Sequence, residues 1–393
     1  MTSAKGPNPV LRGVVDWQAR RIDDPVARLR FLRRTVGDLR PFGEPEAAPK
    51  EWWRRKRVRA AGLALLVVLP ATQFTETGRF WRRPHAMTVS AKTPPGAKVW
   101  MVQQSKDAEM FSNGLRVERR FETSNLPRDY EVFRRGEEDS APPEVRKDPA
   151  GIVFHTTESL QEAFEENNNR RLVYIGEALL GYIKRTQSYN YVIDRFGRVW
   201  RVVRDSDAAF HAGISVWADD RYTYVGLNHS FLGVALEAQT REEQGQAVEE
   251  VRATPAQINS LRLLTEMLRA HYSIDAANCV THAQVSVNPS NKMIGYHTDW
   301  AAHFPYSEIG LPDNYATPNP ALVLFGFSYD PELVHVTGER YWKGLLLGEE
   351  QLRQDATAHG RQVTAWRKQL QGRYKNVIQS LKQRSDESKE KQG

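Results

Sequence analysis

Apolar positions along the chain recur in two periods. Ile152-Val153-Phe154 is an unbroken apolar run that ends at His155, which reads as a buried strand. Between residues 164 and 186, Leu172, Ile175, Leu179, Leu180 and Ile183 stand at near-helical spacing and predict a helix. Residues 189–203 alternate and contain Arg195-Phe196-Gly197-Arg198, the signature of a β-hairpin with a glycine turn. Another strand is predicted over 233–237. Thr254-Pro255-Ala256-Gln257 opens a helix: Thr254 caps it, and Pro255 suits the first helical position. Ile258, Leu261, Leu264, Leu268 and Tyr272 then line one face. Cys279-Val280-Thr281 is a short strand that delivers His282. Strands interleaved with helices predict an α/β domain, a mixed central β-sheet flanked by helices.

The pattern changes toward the end of the chain. From Leu352, positions 352, 356, 359, 363, 366, 370, 374, 377 and 381 step by three or four. That spacing predicts one long amphipathic helix with a heptad-like seam, open to self-association, to a partner helix or to docking on the rest of the chain. Residues after Ser385 read as a frayed tail. Pro94-Pro95-Gly96 and Ala141-Pro142-Pro143 mark turns or linkers around a short strand at 98–102. The resulting division is a basic arm (1–59), an apolar run (60–75), a linker and accessory segment (76–150), the α/β domain (151–335) and a C-terminal helix with its tail (336–393).

Charge sharpens this division. Residues 1–59 carry 15 Lys/Arg against 7 Asp/Glu, and residues 340–393 carry 12 against 6. The whole chain is only +7, so the stretch between is net acidic. A basic core is the usual mark of nucleic-acid binding, and this core lacks it. The single cysteine, Cys279, excludes an internal disulfide and a cysteine-rich metal site. Residues 60–75 hold no charge and follow Trp52-Trp53-Arg54-Arg55-Lys56-Arg57. Basic flank, aromatic pair and apolar run predict a membrane anchor entered from the cytoplasmic side, although it is shorter than the roughly 20 residues a bilayer needs. A buried helix is the alternative. A cleaved signal peptide fits less well, because its leader would be about 59 residues long.

His155 and His282 both stand at predicted strand ends, and Asp299 follows in His297-Thr298-Asp299-Trp300. Two histidines and a carboxylate are a donor set that holds one zinc ion with a position left open. Six segments stand around them in order: Val153-Phe154-His155-Thr156-Thr157, the 189–199 hairpin, Ala209-Phe210-His211-Ala212-Gly213, residues 233–237, Thr254-Pro255-Ala256-Gln257 and Thr281-His282. Together, over roughly residues 150–315, they resemble the zinc-dependent N-acetylmuramoyl-L-alanine amidases, the family shared with peptidoglycan recognition proteins.

The resemblance implies Zn2+ held by His155, His282 and a third ligand. Asp299 takes that place when aligned on Phe304-Pro305, with His297 then standing where many members carry lysine; His297 as the ligand itself is the other possibility. Ile294, near the alternative alignment, cannot bind a metal. The implied activity is hydrolysis of the amide joining N-acetylmuramic acid to L-alanine in peptidoglycan or a muropeptide. Tyr189 matches a tyrosine that assists proton transfer, and His297 would stabilise the oxyanion. His211 and Gly213 would line the cleft. Some members place a catalytic glutamate where this chain has Ala235, and Glu237 substitutes only if the strand register shifts. The alternative is a recognition module that binds peptidoglycan without cleaving it. With the anchor, the implied protein is single-pass in the cytoplasmic membrane, its α/β domain on the periplasmic side.

Overall fold

The computed structural model describes residues 98–159, 161–239, 253–330, 333, 337 and 342–390. The arm at 1–59 and the apolar run at 60–75 lie outside them. Among the described residues no helix is long and apolar enough to cross a membrane.

The strands that matter are, in chain order, β1 (Met101–Gln104), β2 (Ala108–Phe111), β3 (Arg116–Glu118), β4 (Tyr130–Arg134), β5 (Glu144–Arg146), β6 (Gly151–Thr156), β7 (Tyr191–Ile193), β8 (Val199–Arg201), β9 (Val216–Ala218), β10 (Tyr222–Val225), β11 (Phe231–Leu236) and β12 (Cys279–Thr281). The helices are α1 (Asn169–Thr186), α2 (Leu227–Ser230), α3 (Pro255–Tyr272), α4 (His282–Val285), α5 (Pro320–Phe325), α6 (Lys343–Ala358) and α7 (Val363–Glu390). An eight-stranded mixed sheet runs β1-β2-β3-β8-β7-β11-β6-β12, and a four-stranded sheet runs β5-β4-β10-β9.

At the centre of the large sheet, β6 and β11 pair in parallel, with β12 and β7 parallel outside them. All residues of β6 and β11 are buried. Strands covered on both faces read as continuous apolar runs, which is why Ile152-Val153-Phe154 showed no alternation. One face meets α3: Phe154, Leu232, Val234 and Leu236 share a core with Leu261, Leu264 and Leu268. On the other face, Val192, Trp200 and Val202 pack with Leu180 and Ile183 of α1. Helix α3 starts where the sequence placed it. Thr254 Oγ1 accepts from the Gln257 N–H at 3.2 Å, and Gln257 Oε1 accepts from the Thr254 N–H at 2.9 Å. Such a reciprocal cap stabilises a helix by about 1 kcal/mol.

Two expectations are corrected. The described part of the 76–150 segment is folded into the domain rather than a linker: β3 pairs in parallel with β8, extending the large sheet, and β4 pairs with β10 in the smaller one. The single helix predicted from Leu352 is two. The chain turns at Gly360, whose φ of +63° is left-handed, a conformation glycine adopts without the steric cost of a side chain. Leu352 and Ala356 of α6 then meet Trp366 and Leu370 of α7. Tyr374 and Val377 pack with Phe325 and Phe327. The seam is filled from within the chain, so the apolar face that self-association or a partner helix required is already covered.

Candidate metal centre

His155 is the fifth residue of β6, and His282 begins α4 directly after β12. These strands are neighbours, with Thr281 opposite Phe154, so both side chains emerge at the same end of the sheet. Asp299 reaches them from the loop that follows. Residues between, including Met293–Ile294, pair with Ser328–Tyr329 in a separate two-stranded sheet, so they form an excursion from the domain. At Trp300 the chain reverses with φ +56°. A left-handed backbone costs a non-glycine residue roughly 1–2 kcal/mol. Contacts hold it there: Trp300 meets Phe304 edge-on at 5.2 Å, Phe304 stacks on Phe154 at 4.6 Å, and the Trp342 indole N–H donates to the Ala301 carbonyl at 2.6 Å.

One carboxylate faces two imidazoles. Asp299 Oδ2 lies 3.1 Å from His155 Nδ1, and Oδ1 lies 2.8 Å from His282 Nδ1. One donor atom from each residue falls within 4.8 Å of the others, and all three side chains are buried. Behind His155 stands His211. His155 Nε2 is 3.1 Å from His211 Nδ1, and His211 Nε2 is 3.2 Å from the Phe231 carbonyl oxygen. Space for the His211 ring comes from Gly233 on β11, where a Cβ would fall 2.6 Å from the ring's Cγ.

This chain of bonds assigns the protons. A carbonyl only accepts, so His211 Nε2 carries hydrogen and donates to Phe231. Burial, then the nearby His155, pulls His211 well below its ordinary pKa, so the ring is neutral and its Nδ1 accepts. His155 Nε2 must then donate. Burial, followed by the proximity of His282, brings His155 down to about 4 against the opposing pull of Asp299. A neutral His155 with its proton on Nε2 presents a bare lone pair at Nδ1. Burial raises Asp299, but His282, whose Nδ1 lies 2.8 Å from Oδ1, outweighs it and holds the carboxyl well below its usual range. A lone pair therefore faces an ionised carboxylate at 3.1 Å, an arrangement that a cation between them makes favourable. The donor set, two imidazole nitrogens and a carboxylate, suits zinc, and His211 supplies the hydrogen bond that such ligating imidazoles usually make at their other nitrogen.

The remaining candidates lie at different distances from this centre. The Tyr189 ring is 5.1 Å from that of His155. His297 stacks on His282 at 4.4 Å with an interplanar angle of 16°, while its backbone N–H donates to Ser286 Oγ at 3.0 Å. Glu237 is placed differently. The β6–β11 register runs unbroken to Leu236 and sets Ala235 opposite His155, so the shift that would bring Glu237 there does not occur. Glu237 accepts from the Arg195 N–H at 3.1 Å and lies against Gly176 of α1. His211, taken from sequence as lining the cleft, is buried and hydrogen-bonded to His155. The signal that could have revealed it is Gly233, a side chain missing from a buried strand.

Residues 145–299 match the family model described as N-acetylmuramoyl-L-alanine amidase. The curated N-acetylmuramoyl-L-alanine amidase AmiD of Escherichia coli (strain K12) is 29% identical over 128 residues, which is 33% of this chain and 42% of that protein. The chain thus spans less than half the length of the curated relative it matches. Among solved structures, AMPDH3 of Pseudomonas aeruginosa with anhydromuramic pentapeptide is 20% identical, covering 41% of this chain and 58% of that one, at a TM-score of 0.31. AmiD from E. coli with the substrate anhydro-N-acetylmuramic acid-L-Ala-D-gamma-Glu-L-Lys is 22% identical over 42% of this chain and 56% of that one, also at 0.31.

Proposed function

We propose that this chain, whose residues 145–299 match the N-acetylmuramoyl-L-alanine amidase family model, hydrolyses the amide between N-acetylmuramic acid and L-alanine in peptidoglycan or its fragments. The observation that carries the reading is the convergence of His155, His282 and the Asp299 carboxylate, buried and with one donor atom of each within 4.8 Å of the others. His155, His282 and Asp299 would hold zinc, with His211 fixing the His155 ring. A zinc ion bound there supplies Lewis-acid polarisation of the scissile carbonyl and acidifies water at neutral pH. Tyr189, whose ring lies 5.1 Å from that of His155, would assist proton transfer there. His297, stacked on His282, would donate to the oxygen that gains charge as the carbonyl carbon becomes tetrahedral. Glu237, held by Arg195, takes no part in proton transfer in this scheme.

The direct test is zinc content and release of L-alanine peptides from purified peptidoglycan, for the wild type and for His155→Ala and Asp299→Ala. Both variants should lose metal and turnover, and full activity in either sinks the assignment. Ala235, opposite His155 where some relatives carry a catalytic glutamate, favours a second reading, a module that binds muropeptide without cleaving it. Tight muropeptide binding by the zinc-loaded chain with no turnover would establish that reading.

We further infer that residues 60–75, uncharged and preceded by a basic cluster, tether the domain to the cytoplasmic membrane with the site on the periplasmic side. Deleting residues 1–75 should release the protein from membranes, and continued membrane association rejects the tether.

A further inference from the structure

The Phe231 carbonyl that receives the His211 N–H has a second donor. Arg128 Nη1 also bonds that oxygen, at 3.1 Å. Arg128 stands outside the family-matched segment, in the accessory residues that precede it. Its side chain is 2% exposed. The guanidinium's described acceptors are all backbone carbonyls: Asp205 from Nε at 2.9 Å, Asp207 from Nη2 at 3.0 Å, and His229 and Phe231 from Nη1. Its own N–H donates to the Ser206 carbonyl at 2.7 Å, and Pro127 bridges Asp207, so both backbone and side chain bind the same loop.

These acceptors are not scattered. Residues 205–207 lead into the segment that carries His211, and residues 229–231 lead into the strand that carries Gly233, against which the His211 ring lies. A planar guanidinium with a rigid fork of donors ties the two segments in fixed register, which an ammonium on a flexible stem does less well. Burial pulls the guanidinium below its ordinary pKa, and the nearby Asp205 carboxylate, followed by that of Asp207, opposes it. From one of these oxygens a continuous path runs: Arg128 to Phe231 O, to His211 Nε2, across the ring to Nδ1, to His155 Nε2 and on to the His155 nitrogen that faces Asp299.

We propose that Arg128 is a positioning residue of the metal centre: by fixing the Phe231 carbonyl it sets the tautomer and ring plane of His211, and through them the aim of His155 Nδ1. The accessory segment thereby completes a site whose ligands all lie in the family-matched segment. The inference rests on the metal reading given above.

Its test is a double-mutant cycle read by zinc affinity rather than turnover. Zinc dissociation constants of the full chain would be measured by chelator competition for the wild type, Arg128→Lys, Arg128→Met, His211→Phe and the corresponding doubles. Folding of each metal-free variant would be checked by near-UV circular dichroism. Altering a partner one step behind the ligands typically costs 10–100-fold in metal affinity, and a loss of about 10-fold is expected for folded Arg128→Lys. In the His211→Phe background the same change should cost less than about twofold, because the path is already broken. An unchanged affinity in folded Arg128→Lys, or an undiminished loss in the His211→Phe background, overturns the proposal. Histidine tautomers in the metal-free wild type, read by two-bond proton–nitrogen correlations, test the path without any variant. Protons are expected on Nε2 of both His211 and His155, and a proton on His211 Nδ1 overturns the proposal even where no Arg128 variant folds. A wild type that binds no zinc but shows the expected tautomers removes the metal reading and leaves the hydrogen-bond path standing.

Discussion

Gly233 leaves open the volume that His211 fills: a Cβ built on the glycine would sit 2.6 Å from the imidazole Cγ, closer than such atoms approach. The two residues are paired by exclusion, and the exclusion carries through to His155, which His211 holds by one nitrogen. Gly233→Ala should therefore fold, since the strand conformation suits alanine, while pushing the His211 ring away. Overpacking a buried position costs roughly 1–3 kcal/mol, and zinc affinity should fall about 10-fold. Titration with chelator and a thermal melt check both parts. Wild-type affinity would mean that His211 does not orient His155.

Asp299→Asn should abolish metal binding while leaving metal-free stability nearly unchanged. An amide at this place accepts from His282 through its oxygen and donates to the bare His155 Nδ1 through its nitrogen, relieving the opposed lone pairs. That hydrogen bond, worth about 1 kcal/mol, offsets part of the stability lost with the carboxylate that His282 holds ionised in the fold, so the metal-free protein should change little. Excess zinc at about 100 times its dissociation constant adds about 2.7 kcal/mol to the wild type, raising its Tm by roughly 5–10 °C. The variant should show no such rise. A metal-free Asp299→Asn that melts well below wild type contradicts the proton assignment.

Glu237 gives the fold a pH dependence of its own. Burial pushes its carboxyl up to about 7, against the Arg195 N–H. The folded state therefore prefers the protonated form. Its contribution is fully present below about 4.5, the unfolded value, and is lost as pH rises through 7. The loss is at most about 3 kcal/mol. His155 and His211, neutral in the fold, oppose this trend in both proteins, so the readout is the difference between them: urea unfolding of the metal-free chains from pH 5 to pH 8 should show Glu237→Gln gaining stability relative to wild type as pH rises. Parallel profiles for the two proteins would remove Glu237 as its source.

Leu370 tests the C-terminal hairpin. It is buried with Leu352, Ala356 and Trp366. Leu370→Ala should cost about 2–5 kcal/mol by leaving a cavity, without changing the molecular mass measured by light scattering. A change of mass would show that the seam also serves another copy.

Much of this site is written locally in the chain. His155 and His282 are found from sequence because each ends or follows a short apolar run, and strand ends in one sheet converge. The cap at Thr254 and the turn at Gly197 are equally local. Asp299 is harder, because its approach depends on a left-handed turn at Trp300 and on contacts with Phe304 and Trp342, none of which has a period. Heptad spacing passes through position 360 without interruption, so the seam hid the break at Gly360. Arg128 was invisible for a different reason: its acceptors are carbonyls, and every residue has one.

Trp342 begins the C-terminal hairpin, 43 residues beyond the last position of the family match, yet its indole N–H secures the turn two residues after Asp299. A chain trimmed to the matched segment would retain every donor atom and lose the strut behind one of them. The smallest working unit is therefore delimited by whatever braces the carboxylate, and the hairpin belongs to the site as much as the strands that bear the histidines.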